Sequence, residues 1–341
     1  MKNVIILFAA FGMLSCATGS AEKNFAATYA DAYKKGFEDG FEKANSMKMP
    51  APVQAPALNY GSNYGGYNDY YGYDNYNNTA ANQKGTINYA VQTNNLASVK
   101  ELVEKKSADV NSMDASGYSP LQIAARLGYV DIVNYLISKS ANVNFVSSDS
   151  YSPLKEAITY KKFPVAEILI SKGADVNFVD NAGYAMIYYA AQSGNKKVVE
   201  MILEKGASAT TVGSTGFGPL LAAVSMGFDD IAELLLSKGS NPDEIDNYTG
   251  FSALMYAVRN NKIKLVELLS AKTTNINFTE KTGKTALHLA VEYNRLDMVK
   301  ILVKAGSNPE IKDNNGASPS ETADKRGLKD ISDFFKSTKK I

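Results

Sequence analysis

The chain has 341 residues, and its 36 Lys and Arg against 35 Asp and Glu leave a net charge of +1. A balance so close to zero argues against a nucleic-acid-binding surface built on bulk positive charge. With one Cys and one His, the chain lacks the cysteines for a disulfide framework and the ligands for a Cys/His metal cage. We therefore expect no metal, no cofactor and no nucleic-acid partner.

The N-terminal residues have the pattern of an export signal. Lys2 precedes an apolar run at residues 4–14, which is too short to span a bilayer but has the length of a signal-peptide core. The run ends just before Cys16, the only cysteine. This layout resembles a bacterial lipoprotein signal, in which residues 1–15 are removed and the Cys16 thiol is acylated.

The resemblance implies an exported, lipid-anchored protein, because acyl chains on one residue hold a chain firmly at a membrane. Ala17, rather than Asp, follows the cysteine. By resemblance to the sorting rule of diderm bacteria, this favours the outer membrane, facing either the periplasm or the cell surface. The alternatives are plain secretion, with cleavage after Ala17 or Ala21, and an uncleaved N-terminal anchor.

Residues 16–48 carry aromatic side chains at a four-residue spacing. Four residues turn an α-helix by about 400°, so residues at this spacing share one face. The aromatic positions are Phe25, Tyr29, Tyr33, Phe37 and Phe41. The pattern predicts an amphipathic helical segment that self-associates or lies on a membrane surface, or one that stays marginal because Gly36 and Gly40 weaken it.

Residues 49–84 have no such periodicity. Three prolines come first, and seven tyrosines then follow between Tyr60 and Tyr76 among Gly and Asn residues. A segment of this composition cannot bury a core and is typical of disordered sequence. We predict that it is a flexible linker between the N-terminal anchor and the rest of the chain.

From residue 85 to residue 341 the chain repeats itself with a period of about 33 residues. The clearest marker is a glycine, replaced once by serine: Gly117, Ser150, Gly183, Gly216, Gly250, Gly283 and Gly316. Repeats of this length are typical of solenoid proteins. Within one block, residues 119–127 and 131–139 each have the apolar spacing of a short helix. Neither helix buries its apolar face alone, so neighbouring blocks must stack.

The repeated motifs resemble those of the ankyrin repeat family. The chain has Ser-Pro-Leu at Ser119 and at Ser152, Thr-Ala-Leu-His-Leu-Ala from Thr285, and Gly-Ala-Asp-Val-Asn from Gly173. The resemblance covers about residues 85–341 and implies an all-α ankyrin-repeat solenoid with β-turn or hairpin connections. We expect about seven repeats followed by a C-terminal cap.

The resemblance also implies a protein-binding surface on the concave side, formed by the turns and the first helix of each repeat. The residues after the first five markers are aromatic: Tyr118, Tyr151, Tyr184, Phe217 and Phe251. The turn tips add Val146, Val179 and Ile245, beside Met113 and Val212, and the ends of the first helices add Arg126, Tyr160, Met226 and Arg259. In the last two blocks the aromatic series gives way to Lys284 and Ala317, and the tip series to Thr279 and Lys312.

Aromatic residues and Arg are enriched in interface hot spots, so we expect these residues to bind a protein partner. The alternative is that the rings pack between adjacent turns. If the first interpretation holds, replacing Tyr151, Tyr184 and Phe217 with Ala weakens binding and leaves thermal stability largely intact.

The sequence predicts no catalysis and no small-molecule substrate. His288 stands where the family has a structural histidine whose ring bonds a neighbouring turn, and no nucleophile recurs beside it. Three functions remain open. They are a membrane-anchored scaffold that binds a protein of the bacterial cell envelope, a surface protein that contacts a host or another cell, and an inhibitor or immunity protein.

Overall fold

The structure, a computed structural model, describes residues 85–338, and in this range the chain forms helices and no strand. The helices occur in eight pairs. They are α1 (Ile87–Gln92), α2 (Leu96–Lys105), α3 (Pro120–Leu127), α4 (Val130–Ser138), α5 (Pro153–Thr159), α6 (Phe163–Ser171), α7 (Met186–Ser193), α8 (Lys196–Glu204), α9 (Pro219–Met226), α10 (Asp229–Ser237), α11 (Ala253–Arg259), α12 (Ile263–Ser270), α13 (Ala286–Glu292), α14 (Leu296–Lys304), α15 (Pro319–Lys325) and α16 (Lys329–Thr338).

The pairs stack as a solenoid, which confirms the predicted fold class. Each odd-numbered helix, the first of its pair, packs against the first helices of the neighbouring pairs, and the second helices pack in the same way. A fully buried alanine recurs at one position of seven first helices: Ala124, Ala157, Ala190, Ala223, Ala257, Ala290 and Ala323. These small side chains allow the first helices to approach closely, and the larger aliphatic residues beside them fill the core.

The predicted signal peptide, the acylated Cys16, the amphipathic segment and the linker fall at residues 1–84, outside the described residues. They stay predictions. Within residues 85–338, no helix is both long enough and apolar enough to cross a membrane.

The marker residue of each block lies in a turn with a positive φ angle. The six marker glycines have φ between 75° and 81°, and Ser150 adopts the same left-handed conformation at φ 58°. At the turn between the paired helices, Lys161 takes a φ of 55°, where Gly128 has 84°. The two departures from the family pattern therefore keep the turn geometry, and a non-glycine residue carries the strain of that conformation.

Most first helices begin with a Ser or Thr whose side chain accepts a hydrogen bond from the backbone of the first turn. These caps are Thr86, Ser119, Ser152, Ser252, Thr285 and Ser318. Helices α7 and α9 begin after Ala185 and Gly218 and have no side-chain cap of their own. At α9 the carboxylate of Glu244, from the next turn along the chain, accepts from the N–H of Leu221 at 3.2 Å and from that of Gly218.

Candidate protein-binding face

The connections from each second helix to the next first helix form seven tip segments: residues 107–118, 140–151, 173–184, 206–217, 239–251, 273–284 and 306–317. Two of them carry a single antiparallel bridge, between Val179 and Ala185 and between Ile245 and Ser252. The tip segments and the first helices together form one face of the solenoid. The sequence-predicted binding residues all belong to this face.

Large exposed apolar side chains are concentrated in the tip segments. Met113 is 62% exposed, and Val146, Val179 and Val212 are 40%, 46% and 47% exposed. These four residues, here called the tip row, occupy the same position in four consecutive segments. Among residues 85–338, the second helices expose one large apolar side chain to a similar degree, that of Ile263. Ile245, the fifth residue of the tip series, is half-buried.

The five aromatic residues after the markers differ in exposure from one another. Tyr118, Tyr151, Tyr184 and Phe251 are half-buried, whereas Phe217 is only 7% exposed. At Phe217 the structure therefore favours the alternative interpretation, in which the ring packs between neighbouring side chains instead of standing in an exposed ladder. The reason is the packing of its ring, which lies edge-on between Tyr188 and Tyr256 with centroid distances of 6.3 and 6.0 Å.

Burial of Phe217 also corrects the expectation for the triple alanine variant. Truncating a buried phenylalanine costs about 3–5 kcal/mol, so a variant that includes Phe217→Ala loses stability. Such a variant is no longer a clean test of binding.

Tyr184 packs onto the next tip segment. Its ring stacks on Tyr188 with centroids 4.3 Å apart, and its hydroxyl lies 2.6 Å from Oγ1 of Thr215. The ring also covers Gly213, where a Cβ atom would lie 2.4 Å from the Tyr184 ring. Tyr184 thus makes the contact between adjacent turns that the alternative interpretation anticipates, while part of the ring stays exposed.

Arg126 joins two neighbouring blocks. Its guanidinium lies 4.5 Å from the ring centroid of Tyr118 and 5.3 Å from that of Tyr160. It also donates two hydrogen bonds to the carboxylate of Glu156, at 2.9 and 2.6 Å. The structure thus brings three predicted site residues together around a buried acid. Burial raises the pKa of Glu156, and the Arg126 guanidinium opposes that rise.

Lys155 is enclosed in a comparable way. Its ammonium lies 4.6 Å from the ring centroid of Tyr151 and 4.7 Å from that of Tyr189, and it pairs with Asp180 at 2.7 Å. The hydroxyl of Tyr189 donates to the same carboxylate, whose other oxygen accepts from the Tyr184 N–H. Burial alone would raise the pKa of Asp180, but these hydrogen bonds outweigh it and leave the pKa lowered.

A third cation is packed on rings at α11. Arg259 lies 4.4 Å from the ring centroid of Tyr256 and 5.2 Å from that of Phe251. The Tyr256 hydroxyl donates to the buried carboxylate of Asp246 at 2.7 Å. Met226, the remaining predicted site residue, is half-buried at the end of α9.

His288 has the structural role expected for it. Its Nδ1 accepts from the N–H of Thr285 at 3.0 Å, and its Nε2 lies 3.2 Å from the carbonyl oxygen of Ala317 in the next tip segment. Burial lowers its pKa, so the neutral ring with hydrogen on Nε2 fits both bonds. Gln122 makes the same two contacts in α3, to Ser119 and to the carbonyl oxygen of Tyr151.

The sequence did not point to Glu156, Lys155, Asp180, Tyr189 or Tyr256. The only sequence signal for these contacts was a charged residue inside a first helix, such as Lys155 or Glu156. The residue that pairs with it lies in a neighbouring block, about 25 to 30 residues away. Within residues 85–338, no group of three His, Cys, Asp or Glu residues is placed to hold a metal ion.

Comparison with known proteins identifies the repeats. A family model described as ankyrin repeats (three copies) matches residues 70–147, 87–180, 138–213, 154–246 and 220–313. The matches overlap and together span residues 70–313.

Two curated relatives match short stretches. Over 49 residues, 14% of this chain and 21% of the relative, the chain is 41% identical to mouse ankyrin repeat domain-containing protein 49. Over 52 residues, 15% of this chain and 33% of the relative, it is 48% identical to human protein phosphatase 1 regulatory subunit 27. The chain thus spans about a fifth to a third of the length of these relatives.

One solved structure matches more extensively. It is a predatory endopeptidase from Bdellovibrio bacteriovorus in complex with an immunity protein. One of its chains is 32% identical to this chain with a TM-score of 0.50, over 55% of this chain and 98% of that chain.

Proposed function

This chain belongs to the ankyrin repeat family, and we propose that its array binds a folded protein through the face formed by the tip row and the first helices. One observation carries the proposal. Among residues 85–338, four of the seven large exposed hydrophobic side chains stand at one position of four consecutive tip segments, and the other three are Tyr248, Ile263 and Tyr293. An exposed apolar stripe is unusual on a monomeric protein unless it binds something.

The residues behind the tip row supply what a binding surface needs. Tyr118, Tyr151 and Tyr184 are half-exposed, and each ring is held by a neighbouring cation or ring, so little side-chain entropy is lost on binding. Aromatic rings held in this way are effective anchors in protein interfaces. The tip row and these rings therefore support each other as one contact surface.

The test compares two variants of exposed residues. Val146→Ser/Val179→Ser/Val212→Ser removes three tips, and Ile263→Ser removes the comparable apolar side chain on α12. Cross-linked capture from the cell envelope of the source organism should yield a partner with the wild type and with Ile263→Ser, but not with the tip variant. Circular dichroism melts should be the same for all three proteins. If the tip variant captures as much partner as the wild type, the binding site does not lie on this face.

The proposal includes a lipid anchor at Cys16, which would make the protein a scaffold of the bacterial cell envelope. The membrane that we propose for the anchor is the outer membrane. Its support is the apolar run at residues 4–14, which ends just before the only cysteine. Metabolic labelling with a palmitate analogue should mark the wild-type protein and not Cys16→Ser. Labelling of both proteins, or of neither, would contradict the anchor and leave the binding face untouched.

The orientation separates the envelope scaffold from a surface protein that contacts a host or another cell. Protease treatment of intact cells decides between them. Survival of the full-length protein on intact cells, with loss after the outer membrane is permeabilised, supports the periplasmic scaffold. Digestion on intact cells supports the surface protein.

A second candidate is an inhibitor or immunity protein for a peptidase. It rests on the solved complex of a predatory endopeptidase with an immunity protein. The match covers 98% of one chain of that complex. Purified full chain should then inhibit a peptidase of the source organism at a fixed stoichiometry, and the tip variant should not. Capture of a partner without inhibition of any peptidase activity would favour the scaffold. Either role uses binding alone, and the absence of catalysis stays a prediction.

A further inference from the structure

Charge is distributed unevenly along the tip segments. The five segments at residues 107–118, 140–151, 173–184, 206–217 and 239–251 together contain eight Asp or Glu and no Lys or Arg. Each segment begins directly after the lysine at the end of the preceding second helix, so these basic residues lie at the helix ends and not in the tip segments. The tip row thus lies in an acidic strip, on a chain whose overall charge is close to zero.

Some of these carboxylates are exposed beside the tip row. Asp109, Asp149 and Asp175 are exposed, and Asp114 and Asp243 are half-buried. The other three, Asp180, Glu244 and Asp246, are buried. The acidic strip therefore presents negative charge to solvent in three of the four segments that expose the apolar tips, and segment 206–217, which carries Val212, has no acidic residue.

The last two tip segments show that the fold does not require this charge. Segments 273–284 and 306–317 hold three acidic and three basic residues, and Lys312 takes the position of the tip row. Their lysines contact the array itself: Lys281 donates to the carbonyl oxygens of Asn247 and Tyr248, and Lys312 pairs with Glu321. The apolar tips and the excess of acid end at the same place.

The spacing of the tip row indicates what kind of element fits it. Packed helices lie about 8–10 Å apart, so successive tips are about 8–10 Å apart. Residues seven positions apart on a helix are about 10.5 Å apart along its axis and lie nearly on one face. Residues on one face of a strand recur about every 6.8 Å and do not match the tips. A helix of about 20 residues would span the four tips.

We infer that the tip row docks an amphipathic helix of the partner protein, with apolar side chains seven residues apart against the four tips and Lys or Arg on both flanks against the acidic strip. This inference rests on the proposed function and names the partner's chemistry. Opposite charge on the rim of an interface speeds association and selects among partners that are equally apolar.

Three synthetic helical peptides of about 22 residues test the inference against the full chain purified in detergent. The first has leucines at the required spacing and Lys flanks, the second has the same leucines and Glu flanks, and the third has the composition of the first with the leucines moved off one face. Fluorescence anisotropy at low and moderate salt should show at least tenfold tighter binding of the first peptide. Equal binding of the Lys and Glu peptides overturns the charge argument, and equal binding of the third overturns the helix argument.

A charge-removing variant assigns the surface. Asp109→Asn/Asp114→Asn/Asp149→Asn/Asp175→Asn keeps the side-chain oxygens of Asp109, Asp114 and Asp175, which accept from the turn backbone. Glu101→Gln/Glu204→Gln/Glu233→Gln/Glu267→Gln removes as many exposed charges from second helices and is the matched control. The tip-segment variant should bind the Lys peptide about tenfold more weakly at low salt and lose most of the salt dependence. Unchanged binding by this variant, or equal loss in the control, overturns the inference.

The two proposals fail in different ways. If the serine variant of the tip row loses its envelope partner while the Lys and Glu peptides bind equally, the proposed function stands and the basic helix is wrong. If the serine variant captures the same partner as the wild type, the proposed face itself is wrong.

Discussion

The first five tip segments and the last two are built on the same backbone but present different surfaces. In both regions a left-handed residue closes the turn and a buried alanine packs the first helix. In the first region the tip positions are apolar and the charges acidic, and cations are enclosed by aromatic rings. In the last region the tips are Thr279 and Lys312, and the turn contact is made by His288.

The difference shows which positions the fold demands and which it leaves free. The marker turn, the helix cap and the buried alanine recur along the array because each solves a backbone or packing problem. The tip positions and the residues after the markers differ between the two regions, from apolar or aromatic in the first to Thr279, Lys284, Lys312 and Ala317 in the last.

The largest expected effect comes from one turn position compared between the two regions. Asp180 pairs with buried Lys155, whereas Asp313, three residues before its own marker, accepts only from turn backbone such as the N–H groups of Asn315 and Ala317. Asp180→Asn leaves a buried ammonium without its counter-charge and should cost about 3 kcal/mol. Asp313→Asn keeps its acceptor and should cost less than about 1 kcal/mol. Urea unfolding of both variants measures the contrast, and equal losses would show that the ion pair adds nothing.

The second effect concerns pH, because α9 is capped by a carboxylate instead of a hydroxyl. Burial raises the pKa of Glu244 to about 7 from 4.5, against hydrogen bonds from Leu221 and Gly218. Between those pH values the folded protein holds a proton that the unfolded chain releases. Its contribution to stability is therefore complete below pH 4.5 and is lost as the pH rises through 7. The loss is on the order of 3 kcal/mol.

Glu244→Gln keeps the acceptor and removes the titration. Unfolding free energies measured between pH 4 and 8 should fall less steeply for this variant than for the wild type. Glu310→Gln, which removes an exposed carboxylate from the last tip segment, is the control. Parallel profiles for wild type and Glu244→Gln would rule out a titrating Glu244.

A smaller effect distinguishes the two kinds of helix cap. A Cβ on Gly218 would lie 2.6 Å from Oε2 of Glu244 and 2.8 Å from Cγ1 of Val212, so these two side chains occupy the space where a serine cap would stand. Gly218→Ser should destabilise the wild type by about 1 kcal/mol, although serine is among the best capping residues. In a Glu244→Ala background the same substitution should cost less, because only Val212 then crowds the new Cβ. Additive effects in a double-mutant cycle would mean that the two groups do not compete.

The smallest effect comes from Ser150 and Lys161, two of the seven non-glycine residues with a positive φ angle among residues 85–338. Ser150→Gly and Lys161→Gly relieve a left-handed conformation and should each raise the unfolding free energy by about 1 kcal/mol. Lys139 has an ordinary φ of −98°, so Lys139→Gly relieves no strain. This substitution should lower the unfolding free energy, because glycine only increases the conformational entropy of the unfolded chain. A loss at Ser150 would mean that its side chain makes a contact worth more than the strain.

Much of the array could be predicted because its signals are local. The 33-residue marker, the helix caps at Ser119 and Thr285 and the structural role of His288 each depend on residues within one or two blocks. The sequence left open whether Phe217 is exposed or packed, because its neighbours, Tyr188 and Tyr256, lie on two different first helices. Whether a ring in that position is exposed depends on the side chains that flank it from neighbouring helix pairs. The 33-residue repeat of the sequence does not specify those side chains.

The sequence by itself determined the repeat length, the helix pairs, the left-handed turn positions and the face on which variation occurs, because each follows from spacing along one chain segment. Only the tertiary structure decided which charges are buried and paired. Arg126 meets Glu156, Lys155 meets Asp180, and Glu244 caps a helix of the preceding block, all across block boundaries. Stacking removes water from these groups and brings their partners within hydrogen-bonding distance, so their environment exists only once the blocks have packed.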